Sequence, residues 1–368
     1  MAARIVLFGA TGHTGSRTAQ ALTTRGARPV LAGRDRGRLG PLATRLGGAA
    51  GPLETVTADV TDTASVRALV GPGDVLVTTV GPFLRLGEPA VAAAADVGAV
   101  YLDSTGEPPF LRRVFEEFGP RAERSGAVLL PAFGHDYVPG GLAGALALAE
   151  AGARAHRVDI GYALDGGRGQ GFSRGTLVSL LGVALEPGFG WHGGRLAGEP
   201  TGARDWRFDA AGRTRRGLSV GGSEHLTLPA LAPTVQEVGV YLDWFGPATS
   251  LAHRLAPVTP WLARVPGAPA GMTRLADLVG RRVAEAPTTG GGTRTHVVAE
   301  VRDAAGQRVS RVELSGPDPY AMTADLLAEG ALRAAAGDVQ GAGALGPVQA
   351  FGPAGLIALA ATAGLTRA

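Results

Sequence analysis

The chain contains no cysteine, no lysine and no asparagine. Without cysteine there is no disulfide, no thiol nucleophile and no thiolate ligand for zinc. Without lysine there is no Schiff base and no Tyr-x-x-x-Lys dyad. Side-chain amides come only from glutamine. Charge of one sign is not clustered: all 35 Lys-or-Arg positions are Arg, they are scattered among 32 acids, and the formal net charge is +3. With no polybasic run and no interleaved aromatics, a nucleic-acid surface is excluded. The 7 histidines are dispersed with no two at ligand spacing, so no metal site is expected. No apolar run is long and uninterrupted enough for a stable membrane span. Residues 1–4 lead straight into a strand pattern with no room for a signal peptide, and the expectation is a cytoplasmic protein. The catalytic menu that remains is Asp, Glu, His, Tyr, Ser, Thr and Arg.

What is present is 58 glycines in 368 residues, with 45% hydrophobic residues, enough for two domains. Three of those glycines organise the rest. Ile5-Val-Leu-Phe runs into Gly9-Ala-Thr-Gly12-His-Thr-Gly15, and a helical pattern follows from Ser16 to Arg25. Strand, tight turn and helix in that order make a variant of the dinucleotide fingerprint. Gly9 permits the turn, Gly12 the close approach of a pyrophosphate, and Gly15 the packing of helix on strand. The phosphates then lie at the positive end of the helix. Gly9, Thr11, Gly12, His13, Thr14 and Gly15 are therefore expected to bind a cofactor. A second strand, Pro29–Ala32, ends in Gly33-Arg34-Asp35-Arg36, with Arg38 near. An acid at that place would take the ribose hydroxyls of NAD. Here Gly33 opens space and Arg34 comes first, and Arg suits a 2′-phosphate. The cofactor inferred is NADP (NADPH). Asp35 competes with that reading by offering an acceptor for the ribose.

Strands and helices alternate through residue 131, giving a doubly wound, mainly parallel α/β sheet of Rossmann type. Leu53–Ala58 ends at Asp59, which is expected to flank the adenine, and Asp74–Val80 ends in Gly81-Pro82-Phe83 on the nicotinamide side. A helix is expected over Phe110–Ser125. Polar clusters at 103–107 and 133–140 also fall at carboxyl ends of strands, where such sheets bind ligands. After Leu142–Glu150 the pattern changes. Val158–Ala163, Trp206–Phe208, Val235–Leu242, His296–Asp303 and Val309–Ser315 read as strands in runs, with helices near Arg174–Glu186 and Pro247–Leu255. That predicts a second α+β domain with a mixed or antiparallel sheet. Thr323–Ala336 and Gly355–Ala363 read as helices. Residues 1–135 are expected to be the NADP-binding domain, and 136–340 a substrate or dimerisation domain. The Pro/Trp-rich stretch Trp244–Met272 is read as an interdomain core or a homodimer face rather than a lipid-associating surface.

Several stretches together resemble the saccharopine-dehydrogenase-like NADP-binding oxidoreductases, a group that includes trans-acting enoyl reductases. They are Gly9–Gly15, Ala32–Arg34, Thr79–Phe83, Tyr101–Glu107, Gly134–Gly140, Ser173–Thr176, Gly316–Tyr320 and Gly343–Pro347. The resemblance implies a Rossmann domain, an inserted α+β domain and a C-terminal segment, residues 341–368, that returns to the first. It implies NADP for Gly9–Gly15 and Arg34. It does not imply saccharopine: the second domain is rich in Ala, Leu, Val, Gly and Pro, and there is no lysine for an acid–base pair.

A nicotinamide reductase needs a hydride donor, an acceptor pocket and a proton donor. The proton-donor candidates are Tyr101, Asp103, Glu107, His135, Asp136 and Tyr137. Tyr137 and His135 are preferred, with Asp136 orienting or charge-balancing His135. Asp103 and Glu107 are equally readable as turn or cap residues. His225, His192 and Trp191 are held as residues that reach the cleft from the second domain. The expected function is NADPH-dependent reduction of a C=N or conjugated C=C in a largely apolar small-molecule substrate, polyketide- or amino-acid-derived and belonging to secondary metabolism. The alternative is a non-catalytic NADP-sensing regulator.

Overall fold

The computed structural model describes residues 3–166, 186–243 and 292–368, with scattered positions between 253 and 278. The helices expected near Arg174–Glu186 and Pro247–Leu255, the Ser173–Thr176 stretch and most of Trp244–Met272 lie outside them. The chain divides into two compact units, residues 1–106, 110–136 and 319–363 in the first and 107–109, 137–318 and 364–368 in the second.

The first unit begins with β1 (Ile5–Phe8), α1 (His13–Thr24), β2 (Val30–Gly33), α2 (Arg36–Gly47), β3 (Thr55–Thr57), α3 (Thr63–Arg67) and β4 (Val75–Thr78). It continues with α4 (Phe83–Leu86), α5 (Glu88–Val97), β5 (Val100–Asp103), α6 (Pro108–Arg113), α7 (Gly119–Ser125) and β6 (Val128–Leu130). Every residue of β1, β2 and β4 is buried, as parallel strands covered on both faces must be. The helix expected over Phe110–Ser125 is interrupted by a π-type turn at Val114–Phe118. Gly98 and Gly126 close α5 and α7 in the left-handed conformation.

The second unit holds α8 (Val138–Ala151), β7 (Arg157–Asp165), β8 (Phe189–His192), β9 (Arg195–Gly198), β10 (Asp205–Ala210), β11 (Arg213–Ser219), α9 (Ser223–Leu231), β12 (Glu237–Asp243), β13 (Arg294–Arg302) and β14 (Arg308–Gly316). The chain then re-enters the first unit with α10 (Pro319–Ala336), the short strand Gly343–Ala344 and α11 (Pro347–Thr362), and ends in the second with Thr366–Arg367.

The first sheet is parallel throughout, in the order Gly343–Ala344, β6, β5, β4, β1, β2, β3. Its order reverses between β1 and β4, which creates a crevice at their carboxyl ends. The second sheet runs β10, β11, β12, β7, β13, β14, Thr366–Arg367 and is mixed: β12 pairs β7 in parallel and the other neighbours are antiparallel. Buried α8, apolar on nearly every side, packs on β7, β13 and β14. The architecture is thus a doubly wound Rossmann sheet plus an α+β unit with a mixed sheet. The re-entry into the first unit is at Pro319, earlier than the 341 that the resemblance implied, because α10 packs along α1 and onto β4 and β5.

Candidate active site

The glycine turn is built as the sequence demands. Gly9 has φ +87°, and a Cβ there would stand 2.7 Å from Thr79 Oγ1 and 2.9 Å from the Val80 side chain. A Cβ on Gly15 would run into the Gly9 carbonyl oxygen. The Thr79 hydroxyl donates to that same carbonyl over 3.2 Å, tying the end of β4 to the turn after β1. Gly12 is the N-cap of α1 and brings no side chain to the cap. The first turn of α1 therefore starts from an exposed Gly12, with His13 and Thr14 half-buried and Gly15 buried against the sheet, and a helix N-terminus of this kind favours a phosphate.

At the end of β2, an added Cβ on Gly33 would meet only Leu39 at 3.8 Å. Arg34, Asp35 and Arg38 are exposed. Asp35 is the N-cap of α2 and accepts from the Arg38 main-chain N–H at 3.2 Å. This engages the acid that competed for the ribose. Arg38 reaches the other way: its Nη2 donates to the Thr11 carbonyl at 3.1 Å, so the glycine turn and the start of α2 are joined. Asp59 closes a local turn, accepting from the Thr61 N–H at 2.9 Å and the Thr61 hydroxyl at 2.8 Å. Those two bonds, and the charge of Arg34, hold its carboxyl below the usual carboxylate range. The start of α1, a roomy strand end and two guanidinium groups fit a dinucleotide.

Beyond β4, Gly81-Pro82 is a cis peptide and Pro82 caps α4. The Phe83 ring is buried and packs on Phe110 with centroids 5.8 Å apart. What Phe83 offers at the sheet edge is its main chain.

Asp103 and Tyr101 are structural. Asp103 Oδ1 accepts from the Thr105 N–H at 2.8 Å and the Ala132 N–H at 2.7 Å, and Oδ2 accepts from the Tyr101 hydroxyl at 2.7 Å. Both side chains are fully buried. This knot fixes the loop after β6, in which Ala132 has φ +58° and Phe133 N–H donates to the Asp103 carbonyl. The loop carries His135 and Asp136. His135 is buried, its Nδ1 is 3.7 Å from Asp136 Oδ1, and Asp136 is 36% exposed. The His135 main-chain N–H donates to Thr323 Oγ1 at 3.0 Å. Thr323 had no signal of its own in the sequence: it is one hydroxyl in the first turns of a helix that otherwise reads as packing.

The remaining candidates lie in the second unit. The Tyr137 hydroxyl donates to the Gly221 carbonyl at 3.2 Å and its ring is buried. Glu107 is buried. His225 is a capping residue, with Nδ1 accepting from the Gly222 N–H at 3.1 Å. Burial above all lowers its pKa to about 4, against a raising contribution from the Gly222 carbonyl oxygen, 3.2 Å from Nδ1. His192 is held between Glu237, 2.8 Å from Nδ1, and Glu199, 2.6 Å from Nε2. Trp191 Nε1 donates to the Val235 carbonyl. These four bonding patterns are local supports of the second sheet and of α9. Among the described residues, no group of three or more His, Asp and Glu is placed to hold a metal ion, and no helix is long and apolar enough to cross a membrane.

A doubly wound sheet with a glycine turn at its switch point defines a dinucleotide-binding fold, and comparison with known proteins agrees. No family model matches the chain. The trans-acting enoyl reductase of Mycobacterium leprae is 41% identical over 140 residues, 38% of this chain and 34% of that protein. Its Mycobacterium tuberculosis counterpart is 36% identical over the same shares. A further M. tuberculosis homologue is 38% identical over 184 residues, 49% of this chain and 43% of its own length. These matches span less than half the length of the curated relatives. Among solved structures, the L-Glu-forming saccharopine dehydrogenase of Saccharomyces cerevisiae aligns over 97% of this chain and 96% of its own, with TM-score 0.57 and 13% identity. Homospermidine synthase of Legionella pneumophila, in complex with NAD, aligns over 100% and 91% with TM-score 0.56 and 10% identity. The chain is thus similar over part of its length to trans-acting enoyl reductases and has the fold of saccharopine dehydrogenase.

Proposed function

We propose that the protein is an NADPH-dependent oxidoreductase that reduces a conjugated C=C, or a C=N, of a largely apolar small molecule in secondary metabolism. The observation that carries the cofactor choice is the division of roles after β2. Asp35 is engaged as a helix cap, Arg34 is exposed beside Asp59, and Arg38 is tied to the glycine turn. In this reading the backbone of Gly9–Gly15 holds the pyrophosphate, Arg34 and Arg38 hold the 2′-phosphate, and the main chain of Gly81–Phe83 flanks the nicotinamide. The nicotinamide supplies the hydride when bound. His135 is the first proton-donor candidate, with Asp136 Oδ1 3.7 Å from its Nδ1 and placed to orient the ring. Tyr137 is the second proton-donor candidate, anchored by its bond to Gly221. The naming of the mycobacterial relatives favours the C=C acceptor over the C=N.

The test is a fluorescence titration with NADPH and NADH, beside Arg34→Ala. The expected result is NADPH binding at least about tenfold tighter, a gap near 1.4 kcal/mol, and loss of that gap in the variant. Equal affinities, or a gap that survives Arg34→Ala, overturn the 2′-phosphate assignment. Turnover of conjugated enones or cyclic imines then distinguishes the reductase from an NADP sensor, which would bind without oxidising NADPH.

A further inference from the structure

The Gly316–Tyr320 stretch leads into α10, and that helix touches two loops that are not neighbours in the sheet. Tyr320 lies in its first turn, and its ring meets the ring of His13 edge to face, with centroids 5.4 Å apart and planes at 82°. His13 is the first residue of α1, directly after Gly12. Three residues on, Thr323 Oγ1 accepts the His135 main-chain N–H at 3.0 Å. Positions three apart share a helix face. The glycine turn follows β1 and the His135 loop follows β6, with β4 and β5 between them. Three strand spacings separate those ends by about 14 Å, and one helical turn with its side chains spans the gap.

The seating of α10 leaves little slack at the His135 end. A Cβ on Gly134 would stand 2.8 Å from Thr323 Cγ2, and one on Gly330 would stand 2.6 Å from the Phe133 ring. Along its length the helix packs on α1. A shift of His13 is thus passed to a rigid body that holds the backbone of His135, because close-packed elements transmit displacement rather than absorb it.

We infer that the first turn of α10 links the two loops: Tyr320 and Thr323 are positioning residues through which occupancy of the glycine turn sets the placement of His135. The inference rests on the dinucleotide reading above. It adds a route by which a proton donor is brought into place only when the hydride source is bound.

The experiment is NMR of the full chain labelled at histidine, with the His13 and His135 ring signals identified by their loss in His13→Gln and His135→Gln. The probe is 2′-phospho-ADP-ribose, which lacks the nicotinamide ring and so cannot perturb His135 through that ring. Both ring signals are expected to move in the wild type. In Thr323→Val and in Tyr320→Leu the His13 signal still moves, while the His135 displacement falls by more than about half, as expected for a broken coupling. Thr323→Ser, which keeps the acceptor, restores it. Should Thr323→Val not fold, Thr323→Ala and Tyr320→Leu carry the same comparison. A His135 displacement of wild-type size in the variants overturns the link, as does a wild type in which His13 alone moves. A wild type in which neither signal moves overturns the dinucleotide reading and the link with it.

Discussion

The Tyr101 hydroxyl donates to Asp103 Oδ2 over 2.7 Å, with both side chains fully buried at the end of β5. Burial first, then the charge of Asp103 and this bond, raise the Tyr101 pKa well above 10.0. The unfolded chain ionises near that ordinary value, so stability is intact below pH 10 and falls as pH rises beyond it. We expect Tyr101→Phe to flatten that alkaline loss in urea titrations between pH 9 and pH 11 (a range set about the ordinary tyrosine value of ~10). At neutral pH the same variant should lose about 1–3 kcal/mol, because Asp103 gives up one of its three donors.

His225 sets the acidic limb. It is buried and neutral in the fold, with its pKa lowered to about 4 from an ordinary 6.5. The unfolded chain therefore takes up a proton at pH 6.5 that the folded chain refuses until about pH 4. The stability held above 6.5 drains away over that interval, by an amount on the order of 3 kcal/mol. His225→Gln should show a flatter profile between pH 7 and pH 4 by chemical denaturation. A profile as steep as the wild type's would place the acid sensitivity elsewhere.

Arg157 and Asp159 form a bidentate pair on β7, with Nε to Oδ2 at 2.6 Å and Nη2 to Oδ1 at 2.9 Å. Asp159 is buried and Arg157 lies partly in solvent. Removing the cation leaves a carboxylate with little access to water. Arg157→Met should therefore cost about 3 kcal/mol, and the double change with Asp159→Leu should recover much of the loss. Thermal denaturation of the wild type and the two variants measures both numbers.

In the glycine turn, Gly15→Ala drives a methyl group into the Gly9 carbonyl. Overpacking of this kind costs about 1–3 kcal/mol and moves α1 off the sheet, so NADPH quenching should be lost. Arg38→Ala acts more gently. It removes the guanidinium that holds the Thr11 carbonyl, so both NADPH and NADH should bind more weakly, with the larger loss for NADPH. A loss confined to NADPH would leave Arg38 a phosphate ligand with no part in holding the turn.

Much of the first unit was legible in the sequence because one pattern carried several demands at once. Ile5–Phe8 is apolar, Gly9 must take a left-handed turn, and Gly15 must admit a carbonyl. The second unit was less legible. β11 reads Arg-Thr-Arg-Arg-Gly-Leu-Ser and shows no alternation, because its charged residues face partners such as Asp165 and Asp205 rather than water alone. α9 was hidden by Pro229 within it and by a glycine at its N-cap, where His225 completes the cap. β8 is four residues long and includes Gly190. The role of Asp103 was undecidable without the chain's return at Ala132, 29 residues away, which supplies one of its donors.

The path of the chain has a consequence for inheritance. It passes from one unit to the other at 106/107, 109/110, 136/137, 318/319 and 363/364. Neither unit is a continuous stretch of gene, so no single cut yields either of them whole. An exchange of the second unit between relatives must join at two distant points, near 137 and 318, and must still supply the last residues that pair with β14. Recombination that swaps one half of the reading frame for another would leave the Rossmann sheet without α10, the helix that lies along α1. Diversification is then expected through point changes and loop insertions inside 137–318, with the flanking halves travelling together.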